Sequence, residues 1–182
     1  IYAASGELLM RQPGIVALHS VTTTNAIHHA FTAAADDQTR RYLLLQNASF
    51  VPMFRQAASD RGSLADRRID QLEAAADQPV TPESVAKIFT TMGSNRETAS
   101  REMLGFLAAG GNPQWVADHA RRLVFLKGND SHDYKFSSAV LEDFYHISPA
   151  WRNRYLASSV FKLRGAGAND NGLIERVRSA FV

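Results

Sequence analysis

Helix start signals recur along this sequence more densely than any other local pattern, and they confine it to an all-helical architecture. Thr81-Pro82-Glu83 reads as an N-cap, a proline at the first helical position and an acid in the first turn. Asn112-Pro113 follows Gly110-Gly111 as a stop and restart, and Ser148-Pro149 repeats the signal. Ser94 and Glu97 have capping-box spacing, Asp130 or Ser131 can cap a further helix, and Asp36-Asp37 caps the run into Gln38-Thr39-Arg40. Between these marks the apolar residues stand three and four apart, as in Val85/Ile88/Phe89/Met92 and Met103/Leu104/Leu107. Strand-like alternation is scarce, with Val21-Thr22-Thr23-Thr24 the one tempting stretch, and Pro52 should break, kink or restart a helix within 42–54. The expected fold is one all-α domain over 1–182 with about seven to nine helices, one lobe of a larger helical protein. Residues 59–82, rich in Asp, Arg, Gln and Ala, are the candidate exposed insertion or lobe boundary, an exposed helix plus a loop.

The composition supports a packed core. Hydrophobic residues make up 45% of the 182, against 21% charged, which argues against disorder. The formal net charge of +2 gives no electrostatic footprint for nucleic acid. No apolar run is long enough to span a bilayer, so no membrane partner is expected, and the expected location is cytoplasmic. There is no cysteine, which confines any metal site to histidine, carboxylate or modified lysine. No nucleophile elbow, phosphate-binding loop, dinucleotide fingerprint or HExxH helix is present, and the glycines near residue 165 read as a loop.

Two segments stand out chemically. In Leu18-His19-Ser20-Val21-Thr22-Thr23-Thr24-Asn25-Ala26, a histidine among small hydroxyl residues just before an apolar helix fits a metal ligand, and at least as well a structural histidine in a cap region. In Asn129-Asp130-Ser131-His132-Asp133-Tyr134-Lys135-Phe136, His132 and Lys135 stand three apart near a helix start. That face continues through Phe136, Ala139 and Asp143 and is expected to be largely inward. Burial would favour a neutral Lys135 amine able to act as base, nucleophile or carbamate precursor. The alternative is that Lys135 reaches outward or pairs with Asp130, Asp133 or Asp143. Of the other histidines, His28 and His29 face different sides of a helix, His119 lies on an apolar face, and His146 is expected to form an exposed pair with Glu142.

Together and in this order, LHSVTTTNAIHHAF and NDSHDYKFSSAVLED resemble the histidine-valine-threonine and aspartate-x-histidine-x-x-lysine elements of the questin oxidase-like family. The resemblance is strongest over residues 1–55 and 125–181 and faint between them. It implies a mostly helical fold and a longer protein, of which this chain, starting at Ile1, corresponds to the C-terminal half. It also implies oxidative cleavage of an aromatic, polyketide-type ring, with an oxidation described as Baeyer–Villiger-like. The implied cofactor is non-haem iron held by histidines and a carbamylated lysine: His19 and His132 as nitrogen ligands, Lys135 as the carbamate. The catalytic residues beyond these ligands and the need for NADPH are left open. The remaining ligands would come from the missing N-terminal half, unless His28, His29, His119 or His146 substitutes. Imidazole and a carboxylate-like carbamate suit iron(II).

Three functions compete on this basis: the oxygenase lobe, a metal-free helical module binding an apolar ligand, and a helical subunit-interaction module. Phe50, Phe54, Phe136, Phe144, Tyr145 and Trp151 are candidate pocket aromatics that helical packing also explains.

Overall fold

The computed structural model describes residues 1–181. Among the described residues there are nine α-helices and no strand, as the helical punctuation requires. In chain order they are α1 (Tyr2–Arg11), α2 (Ile15–Ala33), α3 (Asp37–Ser59), α4 (Pro82–Thr91), α5 (Arg96–Ala108), α6 (Pro113–Lys127), α7 (Ser131–Asp143), α8 (Pro149–Ser159) and α9 (Gly172–Ala180). Thr81, Asn112 and Asp130 cap α4, α6 and α7 through their side chains, and Asp36 caps α3 by accepting from the Thr39 amide. Pro113 and Pro149 occupy first-turn positions, where the missing N–H costs nothing.

The hub is α8. Tyr155, Leu156, Ala157 and Val160 are buried at its C-terminal half, and α1 and α5 pack against it. The α1 crossing is close because Gly6 has no side chain: a Cβ there would sit 2.6 Å from Ser158 Oγ and 3.0 Å from Tyr155 Cδ2. On the α5 side, buried Ser100 donates its hydroxyl to the Ala157 carbonyl at 2.9 Å. Arg96 reaches past the end of α8 and donates to the Val160 and Leu163 carbonyls, satisfying acceptors the helix leaves open. α2 packs on α1, α3 and α7, whereas α3 rests almost entirely on α2.

Several local expectations are corrected. Ser94 does not cap α5: Asn95 does, accepting from Thr98 N at 3.0 Å, while Ser94 donates back to the Thr91 carbonyl and Glu97 pairs with Arg67. α3 runs through Pro52 as one helix; the residue is exposed, so the carbonyl it leaves without a donor is on the water side. Val21–Thr24 is helical, within α2, and α2 starts at Ile15 rather than after His19. No helix forms in the stretch 60–81 beyond a single 3-10 turn at Ile69–Gln71. That stretch is tied down at several points. The Ala65 amide donates to the Arg11 carbonyl, the Ile69 amide to Glu7 Oε2, and the Ala75 amide to the Arg101 carbonyl. Ile69 and Leu72 are buried. No helix is long and apolar enough to cross a membrane among the described residues.

Candidate functional site

The chemistry-bearing side chains gather along the seam between α2 and α7. At one end, His19 in the second turn of α2 meets His132 in the first turn of α7, with ring centroids 5.6 Å apart and planes nearly perpendicular at 84°. Asp130, which caps α7, lies 3.5 Å from His132 Nδ1, and the His132 side chain is 42% exposed. Both rings are open to solvent. Two imidazoles sharing an ion at about 2.0–2.1 Å per nitrogen have ring centres roughly 5 Å apart. The observed separation is compatible with that geometry.

Of the two readings of Lys135, the structure has the outward one. It is exposed, on the face of α7 that carries Ser131, Ser138 and Glu142, all exposed as well. The inward stripe of α7 is Asp133, Phe136, Ser137, Ala139, Val140, Leu141 and Asp143, and Lys135 points away from it. The burial invoked for a neutral amine is therefore absent. Its proposed acid partners are engaged elsewhere: Asp133 with Arg164, Asp143 with Asn25 and Tyr155, and Asp130 beside His132.

The middle of the seam is a hydrogen-bond cluster centred on buried Asp143. Asn25 of α2 donates through Nδ2 to Asp143 Oδ1 at 2.8 Å and to Glu142 Oε2 at 3.2 Å. Tyr155 of α8 donates its hydroxyl to Asp143 Oδ2 at 2.8 Å. Asp143 is completely buried, and that burial pushes its pKa up to about 6 against the pull of these two hydrogen bonds. The Tyr155 phenol is likewise driven well up by burial and by the adjacent carboxylate.

At the far end, His28 stacks on His146 with centroids 4.6 Å apart, and Tyr2 meets His28 edge-on at 5.7 Å and Tyr155 at 6.0 Å. His146 thus engages an imidazole of another helix instead of forming the expected exposed pair with Glu142. Burial lowers the His28 pKa, helped by His146 and opposed by Glu142. Beside this cluster a cavity of about 300 Å³ opens between α1, α2 and α3, lined by Tyr2, Thr24, Ile27, His28, Phe31 and Asn47 among others. A string of hydrogen bonds crosses behind it. Ser20 donates to Ser5 (3.2 Å), Ser5 and Thr24 bond at 3.1 Å, and Thr24 donates to Asn47 Oδ1 at 3.2 Å.

No protein-family model, curated protein or solved structure matches this chain. The site therefore stands on its own geometry. Among the described residues no group of three His, Cys, Asp or Glu side chains is placed to hold a metal. His19 and His132 fit two positions of a coordination sphere and no more. His119 belongs to the packing, stacked 4.9 Å from buried Phe89. Phe136 and Phe144 are core residues, Phe50 and Phe54 pair on α3, and Tyr145 and Trp151 are exposed; the cavity aromatics are instead Tyr2 and Phe31. Asn25, Tyr155 and Tyr2 carried no sequence signal, since their partners lie far along the chain.

Proposed function

We propose that this chain is the histidine-bearing lobe of a non-haem, metal-dependent oxygenase that oxidises an aromatic, polyketide-type ring, an oxidoreductase of the questin oxidase-like kind. The observation that carries the reading is the meeting of His19 and His132, 113 positions apart in sequence, at 5.6 Å across two helices. These are the two histidines that the resemblance assigns as ligands. Bound there, iron would supply a site for activating dioxygen, which is the oxidant. The two imidazoles would hold the ion, and Asp130 would orient His132 through Nδ1. Lys135, one turn further along α7, is the candidate carbamate donor; at its exposed position a bound ion, in place of burial, would have to stabilise the carbamate. The open, two-histidine arrangement supports an incomplete site whose other ligands and water-excluding cover come from an N-terminal half.

Anaerobic titration with Fe(II) and Co(II), followed by histidine NMR signals, tests this. Expected is one weak site, lost in His19→Ala and in His132→Ala and strengthened by bicarbonate only while Lys135 is present. Unchanged metal binding in both histidine variants overturns the assignment. Iron retained stoichiometrically by the chain alone through gel filtration overturns the incomplete-site reading. Turnover assays with and without NADPH then decide the reductant.

A second reading, a metal-free subunit-interaction module, draws on α3, which exposes Tyr42, Leu45 and Met53. It predicts that both histidine variants leave any partner binding intact.

A further inference from the structure

We infer that the cavity between α1, α2 and α3 is a binding site for a small, neutral, largely apolar carbonyl compound. At about 300 Å³ it has the volume of about ten water-sized groups, the lower end of the ligand-cavity range. Ile1, Ile27, Phe31 and Leu44 give it apolar walls. The polar groups among them are mostly donors in want of an acceptor. Asn47 accepts from Thr24 through Oδ1, which leaves its Nδ2 without a protein partner among the described residues. His28 makes ring contacts to Tyr2 and His146 but no hydrogen bond. Its lowered pKa keeps it a neutral imidazole, with one N–H to give. The Tyr2 hydroxyl has no partner among the described residues but is shut off from solvent, so the open cavity meets the ring of Tyr2 and takes its donors from Asn47 and His28. Burial, Asp143 and Glu142 push the Tyr2 phenol up, so it remains a donor. The same two carboxylates, behind Tyr2 and His28, disfavour an anion.

This site goes beyond the proposed oxygenase chemistry. The cavity lining includes neither His19 nor His132, and His28 lies nine residues along α2 from His19, about 13 Å of helix, so this is a separate place from an ion held between those two histidines.

Two bodies share the required chemistry, a fused-ring ketone and a straight-chain one, and they are separated by probing with 1-tetralone and 2-decanone. Tetralin, which lacks the carbonyl, is the control. Each is titrated into labelled protein while the Asn47 side-chain amide and the His28 ring are followed by NMR. Saturable shifts at both residues are expected with at least one ketone, at least about tenfold tighter than tetralin, as one hydrogen bond to an otherwise unpaired donor requires. The tighter ketone identifies the body. Leu44→Trp, at a half-exposed rim position, should fill the mouth and weaken ketone binding at least about tenfold without unfolding the chain. The double variant His19→Ala/His132→Ala should bind ketone like the wild type, whatever it does to metal. Equal affinity for 1-tetralone and tetralin, absence of saturable shifts with both ketones, or unaltered binding in Leu44→Trp overturns the inference.

Discussion

Asp143 is a carboxylate that the fold holds wholly out of water, and its ionisation is coupled to folding. Its pKa rises from 3.8 to about 6, chiefly through burial. The folded state thus favours the protonated acid more than the unfolded state does. The associated stabilisation is complete below pH about 4, falls as pH rises from there, and is gone above about 6, where the full cost of burying the charge is borne. At about 1.4 kcal/mol per unit the change is about 3 kcal/mol. Asp143→Asn keeps the shape and removes the titration. In urea unfolding from pH 4 to 8, its stability relative to wild type should rise by about 3 kcal/mol, most of it between pH 4 and 6.5. A constant difference across that range would contradict the assignment. Two partially buried histidines act in the opposite sense: His28 and His119 have lowered pKa values, so the fold loses stability as they are forced to charge below about 6.5. The comparison with the Asn variant cancels their contribution.

Among the elements, α1 and α8 depend most on a single atom's absence. A methyl at Gly6 would meet Ser158 Oγ at 2.6 Å, and Ser158 is fully buried with its hydroxyl committed to the Tyr155 carbonyl. Gly6→Ala gains helix propensity of about 1 kcal/mol, but overpacking at a fixed crossing costs up to about 3 kcal/mol. A net loss of about 1–2 kcal/mol is expected in denaturant midpoints, largely recovered in Gly6→Ala/Ser158→Ala. A stabilised Gly6→Ala protein would show that the two helices can separate. This crossing also marks the boundary of what the sequence discloses. Helix starts were legible because a cap and a first-turn proline act within four residues: Thr81-Pro82, Asn112-Pro113 and Asp130 all work where they were read. At Ser94 and Asn95 two adjacent polar residues both fit, and the later one has the extended backbone that a cap requires. His19 and His132, far apart in the chain, meet only because α2 docks on α7. For Lys135 the sequence left an inward and an outward reading open, because a stripe read at three- and four-residue intervals drifts around the helix. Only the packing of Phe136 and Val140 against other elements fixes which side is inward. Asn25 and Asp143, 118 residues apart, become partners solely through the docking of α2 on α7.

Across the whole molecule, support is unevenly distributed. α8 is enclosed by α1, α5 and α7, whereas α3 has just two buried residues, Asn47 and Ala58, and α9 has none. Native-state hydrogen exchange should therefore show α8 amides opening only with global unfolding, and the exposed first half of α3 and α9 exchanging through local opening at lower free energy. Equal protection of α3 and α8 would mean that the α2–α3 pair unfolds only with the rest. One feature of that pair reaches further. The Ser20–Ser5–Thr24–Asn47 string has a direction, because each hydroxyl owns a single proton. With Thr24 giving its one proton to the Asn47 oxygen, Ser5 must give to Thr24, and Ser5 can then only accept from Ser20. Half a turn of the Asn47 amide would present a donor to Thr24, which would then accept there and release its own proton from that bond. The end of the Asn47 amide that the cavity wall displays is therefore set by the threonine on α2 whose proton it takes.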